Sequence, residues 1–146
     1  MPLSFGVTFD YRCPFARNAH EHLVEALTAG ADWDVQFLPF SLSQNKVEEG
    51  ETSVWDEPEK DSGLLALQLG VAIRDTQPER FYDAHLALFG IRHDQGKSQR
   101  DEDVLRETLA GVGVDQDRLE KRVVRQPDVR VELVVGRLLR AEHRHR

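Results

Sequence analysis

The hydrophobic period of the N-terminal segment changes from two to 3.6 and back to two, and few folds accept that order. Leu3, Phe5, Val7 and Phe9 alternate with Ser4, Gly6, Thr8 and Asp10, which predicts a strand with one apolar face. Pro14, well suited to a first helical turn, opens a stretch in which Phe15, Ala19, Leu23, Ala26 and Leu27 recur at helical spacing, with Gly30 as the stop. Trp33, Val35 and Phe37 alternate with Asp34 and Gln36 in a second strand that ends near Pro39, where a ladder donor is lost. A strand, a helix and a strand joined by a right-handed crossover make the two strands parallel, the start of an α/β sheet.

Beyond that unit the pattern changes. Residues 43–62 are polar, acidic and broken by Gly50 and Pro58, and read as a long surface loop. From Leu64 on, Leu64, Leu65, Leu67, Leu69 and Ile73 are dense enough for a buried helix. A second helix is predicted to start from a capping box of Thr76 and Glu79, with Phe81, Ala84, His85 and Leu88 on one side. A third carries Leu105 and Leu109, and a fourth follows Asp115 with Leu119 and Val123 a turn apart. Lys121 to Arg146 holds eight Lys and Arg against three Asp and Glu, a net +5, which leaves −12 on the first 120 residues. Within this basic end, Val129, Val131, Leu133 and Val135 alternate like a strand, yet Val131, Val134, Val135, Leu138 and Leu139 also match a helical face.

Size and charge narrow the partners. A chain of 146 residues, 40% hydrophobic, forms one domain with its own core. Its net charge of −7 disfavours nucleic acid and anionic membranes, and points to small molecules or proteins. Neither a signal-like N-terminus nor a long uncharged apolar run is visible, which predicts a cytoplasmic protein. The single cysteine, Cys13, rules out an internal disulfide.

Chemistry concentrates in Asp10-Tyr11-Arg12-Cys13-Pro14-Phe15-Ala16-Arg17, between the first strand and the first helix. A cysteine at a helix N-cap faces unsatisfied backbone N–H groups and the positive end of the helix dipole, which favour a thiolate. Arg12 and Arg17 add positive charge to that field. The same position also suits a small, inert apolar cap, and position alone leaves both readings open. The six histidines lack metal-ligand spacing: His20 and His22 point about 200° apart on a helix, and both read as solvated surface. His85 reads as a packed helical histidine. The acidic loop lacks a calcium-loop pattern, so no metal is expected. Trp55, Phe40 and Tyr11 are candidates to line an apolar cleft beside Cys13, with Trp55 equally able to anchor the long loop to the core.

The order of strand, Asp-x-x-Cys-Pro-Phe, amphipathic helix, second strand, the exit Leu38-Pro39-Phe40-Ser41-Leu42 and a helical region resembles the DsbA-like branch of the thioredoxin superfamily. Over about residues 3–120 it is most similar to cytosolic actinobacterial DsbA-family proteins, akin to the FrnE-type and mycothiol-dependent reductases. The resemblance implies a thioredoxin-like α/β fold with an inserted helical region and Cys13 as the catalytic nucleophile. It divides the single domain into a strand-helix-strand unit (3–42), a loop (43–62), a helical insertion (63–124) and an atypical basic tail (125–146). It makes Tyr11, Arg12, Pro14, Phe15, Arg17 and Trp55 the residues that contact the thiol or substrate. The family's second motif cysteine is Ala16 here, so a second thiol must come from outside: from a partner protein, another copy of the chain, or a small thiol such as mycothiol or glutathione acting as co-substrate rather than as a tightly bound cofactor.

The tail does not show the family's cis-proline loop, paired strands and last helix, so the C-terminal half reads as atypical or incomplete. Exposed strand edges would then favour a homodimer through the tail. Two other functions fit the resemblance. One is a thiol-cofactor-dependent transferase or isomerase like kappa glutathione transferases and hydroxychromene-carboxylate isomerases. The other is an inactive thioredoxin-like binding or remnant domain.

Overall fold

The computed structural model of the chain describes residues 2–52, 54 and 63–119. Trp55, the remainder of the 55–62 loop and the tail, with its ambiguous Val129–Val135 stretch, lie outside the described residues. The two alternating segments form β1 (Leu3–Phe9) and β2 (Trp33–Pro39), paired in parallel from Leu3 opposite Trp33 to Phe9 opposite Pro39. The helix between them, α1 (Pro14–Thr28), ends where Gly30 turns left-handed at φ 100° and closes its N–H onto Leu27 O.

The face α1 buries is one residue away from the one expected. Phe15 is 81% exposed and Ala19 is exposed, while His20 and Val24 are buried and Ala16, Leu23 and Leu27 pack partly against the core. Cys13 as N-cap and Pro14 as N1 fix the start of the helix, and that start carries Phe15 outward. His20, expected on the surface, is therefore in the interior; His22 is exposed as expected.

A short helix, α2 (Leu42–Asn45), stands where only loop was expected, capped by Ser41 Oγ, which accepts from Gln44 N at 3.0 Å. Then come α3 (Leu64–Thr76), α4 (Pro78–His93) and α5 (Glu102–Gly111), with a helical turn at 116–119 behind Asp115. The expected capping box is absent from α4. Pro78 sets the first helical position, so the cap falls on Gln77, and Thr76 ends α3 by donating its hydroxyl to Ala72 O at 2.6 Å. The buried Gln77 amide clasps the backbone of Asp115 instead, donating to its carbonyl at 3.0 Å and accepting from its N–H at 2.8 Å.

The core joins Phe9, Tyr11 and Phe37 from the strand side to Leu67 and Ile73 of α3, Phe81, Leu88, Phe89 and Ile91 of α4, and Leu105 and Leu109 of α5. Arg74 of α3 reaches the strands, donating to Phe37 O at 2.6 Å. No described helix is long and apolar enough to cross a membrane. Asp101 caps α5 through Oδ1, which accepts from Asp103 N at 3.0 Å and Val104 N at 3.3 Å. Asp101→Ala is expected to cost about 1 kcal/mol and lower Tm by about 4 °C, as read by thermal denaturation.

Candidate functional site

Cys13 occupies the N-cap of α1 in extended backbone (φ −84°, ψ 115°), and its Sγ accepts from Ala16 N at 3.5 Å. The thiol is partly exposed. A sulfur placed there meets a backbone N–H and the positive helix end, and both stabilise negative charge on it. Ahead of it the chain is pinned by short-range bonds: Cys13 N donates to Asp10 O at 3.0 Å, and Arg12 N donates to Asp10 Oδ1 at 3.0 Å, an Asx turn. The other carboxylate oxygen of buried Asp10 accepts from Leu42 N at 2.9 Å, so the turn before Cys13 is tied to the start of α2.

Tyr11 anchors this turn from inside. Its side chain is fully buried, and its carbonyl accepts from His93 Nε2 at 2.9 Å and Gln99 Nε2 at 2.8 Å. Its hydroxyl enters a chain of buried bonds whose proton order follows from one end. Thr8 O can only accept, so His20 Nε2 donates to it at 2.9 Å. Neutral His20 then accepts at Nδ1 from His85 Nε2 at 2.8 Å, and His85 Nδ1 accepts the Tyr11 hydroxyl at 2.8 Å. Every atom of the relay is satisfied with both rings neutral and the phenol protonated.

Burial pushes the same way. It holds His85 well below the ordinary histidine range, with His20 beside it adding to the effect. Burial also lowers His20, against a smaller opposing pull from its bond to Thr8. It raises Tyr11 well above the ordinary phenol range, with Arg74 opposing weakly. The His85 ring sits between Phe9, Phe81 and Phe89 at centroid distances of 4.7, 4.8 and 5.1 Å.

Several expected site residues take other parts. Tyr11 cannot line a substrate cleft, because its ring is fully buried; it shapes the site from beneath. Arg12 turns toward α2, where Nη2 donates to Ser43 Oγ at 2.7 Å and lies 3.5 Å from Asp10 Oδ2. Arg17 pairs with Glu21 at 2.9 Å and with Asp94, so two carboxylates offset the positive charge expected to bias Cys13. Pro14 and Phe15 stand exposed beside Cys13, in reach of a docking molecule, and Phe40 is partly buried. Among the described residues no cluster of His, Cys, Asp or Glu could hold a metal ion.

No protein-family model matches the chain, and no curated protein is similar to it in sequence. Among solved structures, the thiol-disulfide exchange protein alpha-DsbA2 from Wolbachia pipientis aligns over 94% of this chain with a TM-score of 0.59 and 15% identity. The fold is thioredoxin-like, as in that structure. This chain spans 62% of the length of that solved chain.

Within this fold, the residues sequence reasoning missed are those that brace Cys13 from a distance: His20, His93, Asp94 and Gln99. Only His20 carried a local signal. Ala16, His20, Leu23, Val24 and Leu27 form a helical stripe as regular as the one centred on Phe15, and that stripe has histidine in the middle of its buried side.

Proposed function

We propose that this chain is a cytoplasmic thiol-disulfide oxidoreductase that works through Cys13 alone. The observation that carries the reading is the placement of the one thiol: partly exposed, at the N-cap of a 15-residue helix, with Sγ accepting from Ala16 N. The thioredoxin-like fold supports it. In the forward step the Cys13 thiolate attacks a substrate disulfide; a Cys13–substrate disulfide forms, the substrate S–S bond breaks and the departing thiolate takes a proton from water. Ala16 cannot resolve that mixed disulfide, so a small thiol from solution attacks it, regenerates Cys13 and carries away the substrate half as a new disulfide. Exposed Phe15 and Pro14 offer the incoming molecule an apolar edge beside the sulfur.

Stopped-flow reaction with an aromatic disulfide reagent tests this. The folded chain is expected to react at least about tenfold faster than the same chain in denaturant, and Cys13→Ser to show no reaction. A folded rate equal to the denatured one would sink the proposal.

A further inference from the structure

The turn that follows α4 borders an open pocket of about 530 Å³ lined by Arg92, Gly96, Lys97, Ser98 and Gln99, within the size range of small-molecule sites. Its charge is unbalanced: among the described residues neither Arg92 nor Lys97 has an ion-pair partner, and both are exposed.

The wall made by Gln99 is different in kind. Gln99 is 4% exposed, and its amide N–H groups are spent on Tyr11 O at 2.8 Å and Leu88 O at 3.2 Å. Its Oε1, on the other arm of the amide, has no hydrogen-bond partner among the described residues. Buried side-chain oxygens are rarely left so, because the lost solvation is not recovered. A pocket with two free cations and one buried, unused acceptor fits a ligand that brings a carboxylate and an N–H donor together, as amino acids and small peptides do.

The pocket is tied to the thiol. Gln99 and His93 both bond to the carbonyl of Tyr11, two residues before Cys13, and Asp94 pairs with Arg17, one turn after it. We propose that this pocket is the recognition subsite for the disulfide that Cys13 attacks, and that it selects disulfides of peptide-type thiols carrying a carboxylate and an amide or ammonium N–H. The inference rests on Cys13 being the exchanging thiol. The reaction is the one already written: Cys13–S–S–R forms, the R–S–S–R bond breaks, and R–S⁻ leaves and is protonated by water. Arg92 and Lys97 take the carboxylate, and Gln99 Oε1 takes the N–H.

Two readouts separate the subsite from the thiol chemistry. The first is binding of S-methylglutathione, which cannot exchange, followed by calorimetry or NMR titration on the full chain. Saturable binding is expected, weakened about tenfold in an Arg92→Ala/Lys97→Ala double variant, both positions being exposed and tolerant of truncation. The second is the rate of Cys13 with oxidised glutathione against neutral 2-hydroxyethyl disulfide, each normalised to the denatured chain. The folded chain is expected to prefer the charged disulfide, and the double variant to lose that preference while keeping its rate with the neutral one. If S-methylglutathione does not bind, or binds equally to the double variant, the subsite is wrong even where the neutral disulfide reacts fast. If it binds as expected but neither disulfide reacts faster than in denaturant, the pocket is a ligand site and the thiol-exchange reading falls, taking with it the link between them.

Discussion

Gly70→Ala is expected to destabilise the chain by about 3 kcal/mol, although the same change on an exposed helix surface stabilises by up to about 1 kcal/mol. Gly70 lies on the buried side of α3, where an added Cβ would fall 2.9 Å from Cε2 and Cζ of Tyr11 and closer still to its hydroxyl. The neighbour that would have to give is held on every side. Its hydroxyl is fixed by His85 and its carbonyl by His93 and Gln99, and its ring packs on Phe89 and Phe9 at centroid distances of 4.8 and 5.2 Å.

Relief therefore requires either α3 to move off the core or the relay to break, and a broken relay leaves buried polar atoms unpaired. Urea denaturation reads the cost directly. Gly111→Ala is the internal control: Gly111 closes α5 with open space where its Cβ would go, so that change is expected to be neutral or stabilising by about 0.5 kcal/mol. Equal effects at the two glycines would mean that Tyr11 does not pack against α3 as described. Because Tyr11 is two residues from Cys13, Gly70→Ala is also expected to slow disulfide exchange at the thiol, measured well below its unfolding transition.

Local pattern was enough for the strands, and not for what holds the site. Leu3 to Phe9 and Trp33 to Pro39 obey a period of two that has one structural meaning, and their parallel pairing follows from the helix between them. Cys13 and Pro14 mark a helix start by chemistry that acts within one turn. The rotation of α1 could not be read as easily. Phe15 outweighs Ala16 on any hydrophobic scale, yet the start of the helix points it outward, and the interior position goes to a histidine.

That histidine is stable in the core only because His85, 65 residues later, supplies a donor and Thr8 a carbonyl. Such a pairing leaves no trace in the spacing around either residue. Tyr11 was misread for a related reason: it sits among polar neighbours in a loop, and only the arrival of α3, α4 and the Gln99 turn covers it. His85 was legible as a packed residue because Phe81, Ala84 and Leu88 place it on an apolar helix face. What made it more than packing was a partner contributed by another element.

The relay also sets a pH window for stability. His20 and His85 have folded-state affinities for protons pushed below the ordinary value near 6.5, so the unfolded chain binds protons that the folded chain refuses. Stability they contribute is complete above about pH 6.5 and is lost as pH falls from there toward their folded values. The loss on acidification comes more from His85, whose proton affinity burial lowers further, than from His20. Tyr11 works in the opposite sense: its proton affinity is raised, so its contribution is present below about pH 10 and is lost above it.

Protonation of His20 is the change that the relay cannot absorb, whereas a proton on His85 Nδ1 would only require the Tyr11 hydroxyl to turn and accept. His20 Nε2 already donates to Thr8 O, and a second proton on His20 Nδ1 would face the N–H of His85 at a separation of 2.8 Å. Urea denaturation at pH 7.5, 6.5, 5.5 and 5.0 should show a steepening loss of stability below pH 6.5, with net uptake of protons on unfolding. His22→Asn, on the exposed side of the same helix, should leave that profile unchanged. His85→Phe keeps the aromatic volume but deprives the Tyr11 hydroxyl of its acceptor, and is expected to lower stability at pH 7.5 while flattening the acid slope, since His20 loses its donor and its constraint. A wild-type profile that is flat from pH 7.5 to 5.0 would mean that the two rings already carry a proton in the folded chain or share it with solvent, and the one-way order of the relay would have to be abandoned.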